Sequence, residues 1–244
     1  MGVAFDYCLD RPENIDAILN GLDRYNPETT TIFQEYVAQQ CETQTYDCYA
    51  NLALLKLYQF NPHLSHPETI TNILTKSLTV FPSPDFSLGL ALLPPAVLSA
   101  AQDPSKQTPS STSGLSEAVA TLLSLHRALT NARYTDFWSS LEEDSTADLV
   151  ADVQGFEEIL RVRIAVVVSQ CMQEVSREVL ESWLNVSGSK FQGFVTEVCG
   201  WKVDGEKVRI PLNKENEARS SVVRESVRFE QFGRMVKRAY EQPA

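Results

Sequence analysis

The side chains most often used for catalysis and metal binding are sparse in this sequence. It contains three histidines: His63 and His66 lie in a proline-bounded turn, and His126 lies on an apolar helical stripe. Two histidines three residues apart could ligate zinc, but no cysteine lies close to them, which favours ordinary turn residues. We expect His126 to be a structural residue at the edge of the core. No metal site is predicted.

The chain also lacks the motifs of nucleophilic and nucleotide chemistry. It has no G-x-S-x-G, P-loop or G-x-G-x-x-G, so acyl transfer, nucleotide hydrolysis and dinucleotide binding have no recognisable machinery. The five cysteines are far apart and form no C-x-x-C pair, which indicates free thiols. The acidic run 142–144 is most simply a solvated helix end. We therefore predict a protein that is not an enzyme and needs no cofactor.

Charge is distributed unevenly along the chain. Residues 1–155 contain 7 basic and 19 acidic side chains, whereas residues 156–244 contain 14 and 13. The acidic part would repel nucleic acid, so attraction to RNA could come only from the second part. No apolar run approaches the ~18 residues that a membrane helix requires, and no signal peptide is recognisable. We expect a cytoplasmic protein with no membrane contact.

The N-terminal third contains two similar phrases in which a helix ends at an aromatic residue. Tyr25-Asn26-Pro27 is followed 35 residues later by Phe60-Asn61-Pro62. Proline cannot continue a helix, so each phrase predicts a turn between helices. This spacing is typical of helical-repeat proteins, in which each helical hairpin must stack on the next.

Apolar residues recur with helical spacing throughout residues 1–155, which we assign to a helical-repeat domain. Asn26 is expected to cap one helix and Ser65 to begin the capping box of another. Residues 102–114 are rich in Ser, Thr and Pro and are interpreted as a flexible loop. The expected buried stripes are Ile15, Ile18, Leu19 and Leu22; Phe33, Tyr36, Val37 and Cys41; Ile70, Ile73, Leu74, Leu78 and Phe81; Leu115, Val119, Leu122, His126 and Leu129; and Tyr134, Phe137, Trp138 and Leu141.

Residues 156–212 show the order of a winged helix, three helices followed by a β-hairpin. The hairpin is expected around Asp204-Gly205, with Trp201 opposite Val208. The third helix should begin near Ser189 and bury Phe191, Phe194, Val195 and Val198. A core is predicted where Trp183, Phe191, Phe194 and Trp201 meet. The fold class is therefore mostly α: helical repeats, a winged helix with a small hairpin, and a C-terminal helix.

A winged helix raises the question of nucleic-acid binding. Lys202, Lys207 and Arg209 of the hairpin could make a few phosphate contacts, but Glu197 offsets Lys190 on the helix that would read bases. We predict weak RNA contact at most. A winged-helix nucleic-acid-binding regulator remains the alternative function of another class.

Residues 213–244 are interpreted as an amphipathic helix that runs from about Asn213 to Tyr240. Val222, Phe229 and Val236 recur every seven residues, and Phe232 lies beside them, which makes one long apolar seam. These four residues are the predicted partner-binding site. The seam should pack either on a helix of a partner or back on its own winged helix, and both arrangements would bury Phe229 and Phe232.

The phrases from Leu22 to Glu28 and from Asn51 to Pro62 resemble the subunit k family of eukaryotic translation initiation factor 3, and the likeness continues through Phe137-Trp138 and Gly200-Trp201. The resemblance implies a PCI-type module over roughly 46–215 in a non-catalytic scaffold subunit. It implies sister subunits as partners, with subunit l the neighbour, and the small ribosomal subunit reached through the complex. Small PCI subunits of the proteasome lid or the signalosome, which share this architecture, remain alternatives.

Overall fold

Helices dominate the structure, and a small antiparallel sheet lies in its second half. The computed structural model describes residues 8–102, 113–218 and 229–241. The predicted fold class is confirmed: a mostly helical domain is followed by a winged-helix unit and a C-terminal helix.

The first part of the chain consists of short helices connected by tight turns, several of them 3₁₀-helical. Their bounds are α1 Glu13–Asn20, α2 Thr30–Thr43, α3 Cys48–Phe60, α4 Pro67–Leu78, α5 Asp85–Ala91, α6 Pro95–Gln102, α7 Ser113–Thr130, α8 Tyr134–Leu141 and α9 Asp144–Val150. The sequence patterns did not predict α5, α6 and α9 as separate helices, because each is only about two turns long and shows little periodicity.

The second part adds the winged helix and the C-terminal helix. Its elements are α10 Phe156–Cys171, β1 Glu174–Ser176, α11 Arg177–Leu184, α12 Gly188–Gly193, β2 Lys202–Asp204, β3 Lys207–Arg209 and α13 Phe229–Glu241. β3 lies between β1 and β2 and is antiparallel to both. The hairpin was predicted from the sequence. The strand β1 was not, because it pairs with a strand distant in sequence and no turn pattern lies beside it.

The apolar stripes predicted for residues 1–155 form the core, with two local corrections. Leu22 is exposed because α1 ends at Asn20 and a 3₁₀ turn carries Leu22 away from the core. Asn26 caps the next helical segment as expected, since its Oδ1 accepts the Glu28 N–H at 3.1 Å. The predicted capping box at Ser65 is wrong, because the residue before α4 is His66, whose Nδ1 lies 3.4 Å from the Thr69 amide.

A buried carboxylate, that of Asp47, organises the start of the fold. Both of its oxygens accept hydrogen bonds from Arg11, at 2.6 Å from Nε and 3.0 Å from Nη2. The same carboxylate accepts a bond from the Tyr36 hydroxyl at 3.3 Å and caps α3 through the Ala50 N–H at 3.2 Å. Asp47 therefore joins the segment before α1 to α2 and α3.

A second buried polar group extends this network toward α4. Gln40 Oε1 accepts the Asp47 N–H at 2.9 Å, and the Gln40 amide nitrogen donates to Asn51 Oδ1 at 2.9 Å. The Lys76 ammonium, also buried, donates to the carbonyl oxygen of Gln40 at 2.7 Å. Burial lowers the pKa of Lys76 below its ordinary value. Helices α2, α3 and α4 are thus fixed by hydrogen bonds as well as by apolar packing.

Helix α10 connects the helical repeats to the winged helix through two arginines. Arg163 donates to the carbonyl oxygens of Val80 and Phe81, in the segment after α4. Arg161 donates to the Leu184 carbonyl at the end of α11 at 3.1 Å, and its guanidinium lies over the Trp138 ring. The domain boundaries at 155 and 212 stay predictions, but these contacts hold α10 to both sides.

The core of the winged helix differs from the predicted one. Phe191 and Trp201 are buried, whereas Phe194 is only partly buried. Trp183 makes an edge contact with Tyr134 of α8, and its carbonyl accepts the Trp138 indole N–H at 2.8 Å. Trp183 therefore lies at the junction with the helical repeats, and of the four aromatic residues predicted to form the core only Phe191 and Trp201 are buried, while Phe194 and Trp183 pack against it partly exposed.

The third helix of the winged helix ends in a π-helical turn, Phe194–Val198, that the sequence pattern did not predict. The Cys199 N–H donates to Phe194 O at 3.1 Å, five residues back. A π turn takes more residues than an α turn and therefore rotates the positions that follow it. Val195 stays buried, but Val198, which an α-helical register would have buried, is 60% exposed.

The hairpin register is also shifted from the predicted one. Val203 lies opposite Val208, and Asp204 lies opposite Lys207, so the loop is Gly205-Glu206. Gly205 has a φ of +62°, and a glycine at the first loop position suits a tight hairpin turn. The predicted pairing of Trp201 with Val208 is therefore wrong. Val175 of β1 lies on the other side of Val208, which forms a row of three valines toward the core.

The buried ion pair leads to a stability prediction. Asp47→Ala leaves the Arg11 guanidinium, 5% exposed, without its buried partner, so it should reduce the free energy of unfolding by about 3–5 kcal/mol. Asp16→Ala is the matched control, because it removes the half-exposed partner of the same arginine and should cost ~1 kcal/mol or less. Urea denaturation measures both. Equal losses would show that Asp47 is not the dominant partner.

The π turn leads to a second prediction, on the helix register. Phe191→Ala removes a fully buried ring and should reduce stability by ~3–5 kcal/mol. Val198→Ala removes an exposed side chain and should change stability by no more than about 0.5 kcal/mol. Phe194→Ala should fall between them because this ring is partly buried. Thermal and urea unfolding would test this order, and a large loss for Val198→Ala would contradict the π register.

Candidate partner-binding site

The C-terminal helix presents an apolar seam to solvent. Phe229 is 90% exposed and Phe232 58% exposed, and Val236 is also exposed on the same side of α13. The structure thus brings together three of the four predicted partner-binding residues, while Val222 lies outside the described residues. The prediction that Phe229 and Phe232 are buried is wrong for the chain's own fold, because the winged-helix core is closed without them.

The opposite side of α13 is positively charged. Arg234, Lys237 and Arg238 are exposed, and Lys237 lies 3.7 Å from Glu241 one turn away. An isolated helix of 13 residues is marginal in water, and most helical stability in proteins comes from packing of an apolar face. Such a helix, strongly amphipathic and with its apolar side exposed, has the properties of a segment that binds in a groove or joins a helical bundle.

A turn that follows the winged helix is held in place by hydrogen bonds from asparagine side chains. Asn216 Nδ2 donates to the carbonyl oxygens of Ser169 at 3.0 Å, Pro211 at 3.0 Å and Met172 at 3.2 Å. Asn213 Nδ2 donates to the same Ser169 carbonyl at 2.8 Å. The bonds to Ser169 and Met172 satisfy carbonyls at the C-terminal end of α10, which otherwise have no intrahelical partner.

The same turn corrects the predicted start of the C-terminal helix. Residues 213–218 form a turn, and Asn213 Oδ1 accepts the N–H groups of Glu215 and Asn216 at 2.9 Å each. Sequence reasoning missed Asn213 and Asn216 as anchoring residues. Their position directly after Pro211 was the available signal, since asparagine side chains commonly form such turns.

The predicted RNA-contact residues Lys202, Lys207 and Arg209 lie on one exposed face of the sheet, but acidic side chains accompany them. Glu174 lies 3.3 Å from Lys207 and 3.4 Å from Arg209, and Asp204 lies 3.2 Å from Arg209. Two carboxylates thus offset much of the charge of the three basic groups. Little net positive charge therefore remains on this face.

The side chains considered for catalysis lie in structural environments. His126 is half-buried against the Phe86 ring, with centroids 4.4 Å apart, and burial lowers its pKa. Burial raises the pKa of the Cys41 and Cys199 thiols to about 11 and that of Cys48 to about 12, so all three are protonated near neutral pH. Within residues 8–102, 113–218 and 229–241, no group of three or more His, Cys, Asp or Glu side chains is arranged to hold a metal ion.

Among the described residues, no helix combines the length and the apolar character needed to cross a bilayer.

Comparison with known proteins places these features in a family. The sequence model of the CSN8/PSMD8/EIF3K family matches residues 64–222. The chain is 62% identical to eukaryotic translation initiation factor 3 subunit K of Botryotinia fuckeliana and 60% identical to that of Phaeosphaeria nodorum, over 245 residues in each case. It is 59% identical over 252 residues to the subunit K of Aspergillus terreus, and all three alignments cover 100% of both chains. With the fold and the full-length matches in agreement, the chain belongs to the CSN8/PSMD8/EIF3K family and, within it, to the eukaryotic translation initiation factor 3 subunit K proteins.

Proposed function

We propose that this chain is a non-catalytic scaffold subunit of eukaryotic translation initiation factor 3. In this role it contributes to a cytoplasmic complex that binds the small ribosomal subunit and promotes preinitiation complex assembly and mRNA recruitment. The observation that carries the proposal is the exposed apolar seam of α13 on a chain whose full-length relatives are named as subunits of that factor. Two exposed phenylalanines on one helix would promote aggregation of a free monomer, whereas they suit a surface that a partner covers.

The seam is the proposed attachment point to the sister subunits. Phe229, Phe232 and Val236, with Val222 as the fourth predicted member, would pack against helices of neighbouring subunits, and subunit l is the proposed nearest neighbour. Apolar seams with a seven-residue spacing pack against one another in helical bundles, and helices of different subunits can form such a bundle. The PCI-type module, roughly 46–215, would then supply the rigid body from which the C-terminal segment extends. Two partly buried hydrogen bonds of α10, from Arg161 and Arg163, support that rigidity.

A truncation tests this attachment. A chain that ends at Ala218 keeps the Asn213–Asn216 turn and loses α13, so its melting temperature should match that of the full chain. Co-purification with the other subunits of the factor should fall by at least about tenfold, because the apolar anchors are absent. Affinity purification of both tagged chains followed by mass spectrometry gives the readout.

A point-variant pair removes the ambiguity of a deletion. Phe232→Asp with Val236→Asp places two carboxylates in the seam, whereas Arg238→Asp makes the same change in net charge on the opposite side of α13. Only the first variant should lose the sister subunits. Normal assembly of the seam variant, or recovery of proteasome-lid or signalosome subunits instead, would overturn the proposal.

We further propose that any direct RNA contact is weak and not sequence-selective. The segment from Lys202 to Arg238 contains 10 basic and 6 acidic side chains, and the three basic residues of the sheet are accompanied by Glu174 and Asp204. Binding of the full chain to single-stranded RNA should weaken with salt at a slope of about −0.7 per phosphate contact. Fluorescence anisotropy over a salt series measures the slope. Tight, selective binding at physiological salt would instead support a nucleic-acid-binding regulator.

A further inference from the structure

Gly233 lies inside the C-terminal helix, where a glycine is unfavourable. It is the fifth of the 13 residues of α13, and only proline is worse than glycine in a helix interior. Its φ is not positive, so the backbone does not require a glycine at this position. A Cβ atom on Gly233 would meet no other segment of the described chain within 4 Å. The chain's own fold therefore makes no use of the missing side chain.

Gly89 of α5 shows what such a use looks like. A Cβ atom there would lie 3.1 Å from Leu74 Cδ2 and 3.7 Å from Leu55 Cδ1, so close helix packing accounts for that glycine. The corresponding space over Gly233 is open and exposed. This contrast indicates that the atoms that fill the space over Gly233 belong to another molecule.

Gly233 forms one corner of a four-residue hole on the apolar side of α13. When two helices pack, a side chain of one enters a hole made by four neighbouring residues of the other, at i, i+3, i+4 and i+7. The residues Phe229, Phe232, Gly233 and Val236 have this spacing, and all four are exposed. None of them is charged, so this hole suits an uncharged side chain.

The corners of the hole determine the size of the group that fills it. The rings of Phe229 and Phe232, 90% and 58% exposed, project from two corners and would keep the backbone of a facing helix at a distance. The space over Gly233 can therefore be filled by a side chain of that helix but not by its backbone. Because voids between packed helices forfeit contacts, a large apolar residue such as leucine, methionine or phenylalanine fits best.

We propose that a large apolar side chain, on a helix of another subunit, inserts over Gly233 into the hole formed with Phe229, Phe232 and Val236. The proposal rests on the proposed function, which makes that partner a sister subunit, and deepens it. The seam supplies apolar area to any partner, whereas Gly233 determines which residue of the partner helix faces it. A partner with a small side chain at that position would leave the hole empty, so Gly233 contributes specificity.

The variant Gly233→Leu in the full chain tests the hole. The substitution adds apolar area and favours the helix, so a seam without a specific hole would bind the sister subunits equally well or better. If a partner side chain occupies the hole, filling it should reduce recovery of the sister subunits at least about tenfold. Affinity purification followed by mass spectrometry measures the recovery. Unchanged or increased recovery would overturn the proposal.

Gln231→Leu is the matched control. It places the same side chain on the opposite side of α13, because residues two apart on a helix are separated by about 200°. Recovery of the sister subunits should stay unchanged. A loss equal to that of Gly233→Leu would show that the loss does not come from the hole, and would contradict the proposal.

A compensating change in the partner identifies the inserted side chain. A photoreactive benzoylphenylalanine that replaces Tyr240, 88% exposed and one turn beyond Val236, should cross-link to a helix of another subunit in the purified complex. Shortening the large apolar residue of that segment to alanine should weaken binding of the unmodified chain. The same change should improve binding of the Gly233→Leu chain at least about fivefold, because the added leucine then has room. A cross-link to a second copy of α13 or to RNA, or no improvement, contradicts the proposal.

These outcomes separate the hole from the proposed function. If Phe232→Asp with Val236→Asp loses the sister subunits but Gly233→Leu retains them, only the hole proposal fails. If the double aspartate variant also assembles normally, the attachment through α13 fails, and the hole fails with it.

Discussion

The helical domain depends on one buried ion pair between Asp47 and Arg11. The two side chains are 2% and 5% exposed, so separating them would leave a charge in the core. The Asp47 carboxylate also caps the N-terminus of α3 and accepts a hydrogen bond from the Tyr36 hydroxyl. The main-chain N–H of Asp47 donates to Gln40 Oε1. A single carboxylate therefore sets the relative position of three segments. Directional hydrogen bonds to this carboxylate fix the positions of these segments, because apolar packing alone would allow the helices to slide past one another.

Helix α10 fixes the position of the winged helix relative to this domain. Arg163 holds one side of α10 to the segment after α4, and Arg161 holds the other to the end of α11. The Asn216 amide then closes the last carbonyls of the same helix. The described part of the chain up to residue 218 thus contains no buried side-chain nitrogen or oxygen that lacks a hydrogen-bond partner. Partner contacts can then form on a body that does not have to be ordered first.

The sequence predicted those features that follow from periodicity and missed those decided by local backbone choices. Helices with long apolar stripes were predicted correctly, because burial of a stripe determines the face of a helix. The hairpin register depended on which loop position Gly205 occupies, and two alternatives fit the same alternation. The π turn that exposes Val198 is closed by the bond from the Cys199 N–H to the Phe194 carbonyl, and the turn at Asn213 is held by a bond to the Ser169 carbonyl of α10. A pattern of residue types cannot contain that information.

The residues of the candidate partner-binding site could be predicted from the sequence, but their exposure to solvent could not. A seven-residue spacing identifies the seam of α13, yet the spacing is the same whether the seam packs within the chain or outside it. The structure leaves Phe229 and Phe232 in solvent because Phe191, Val195 and Val208 already fill the winged-helix core. The first 155 residues contain 19 acidic against 7 basic side chains and would be repelled from ribosomal RNA. We therefore expect any contact with ribosomal RNA to involve the winged helix and the C-terminal helix.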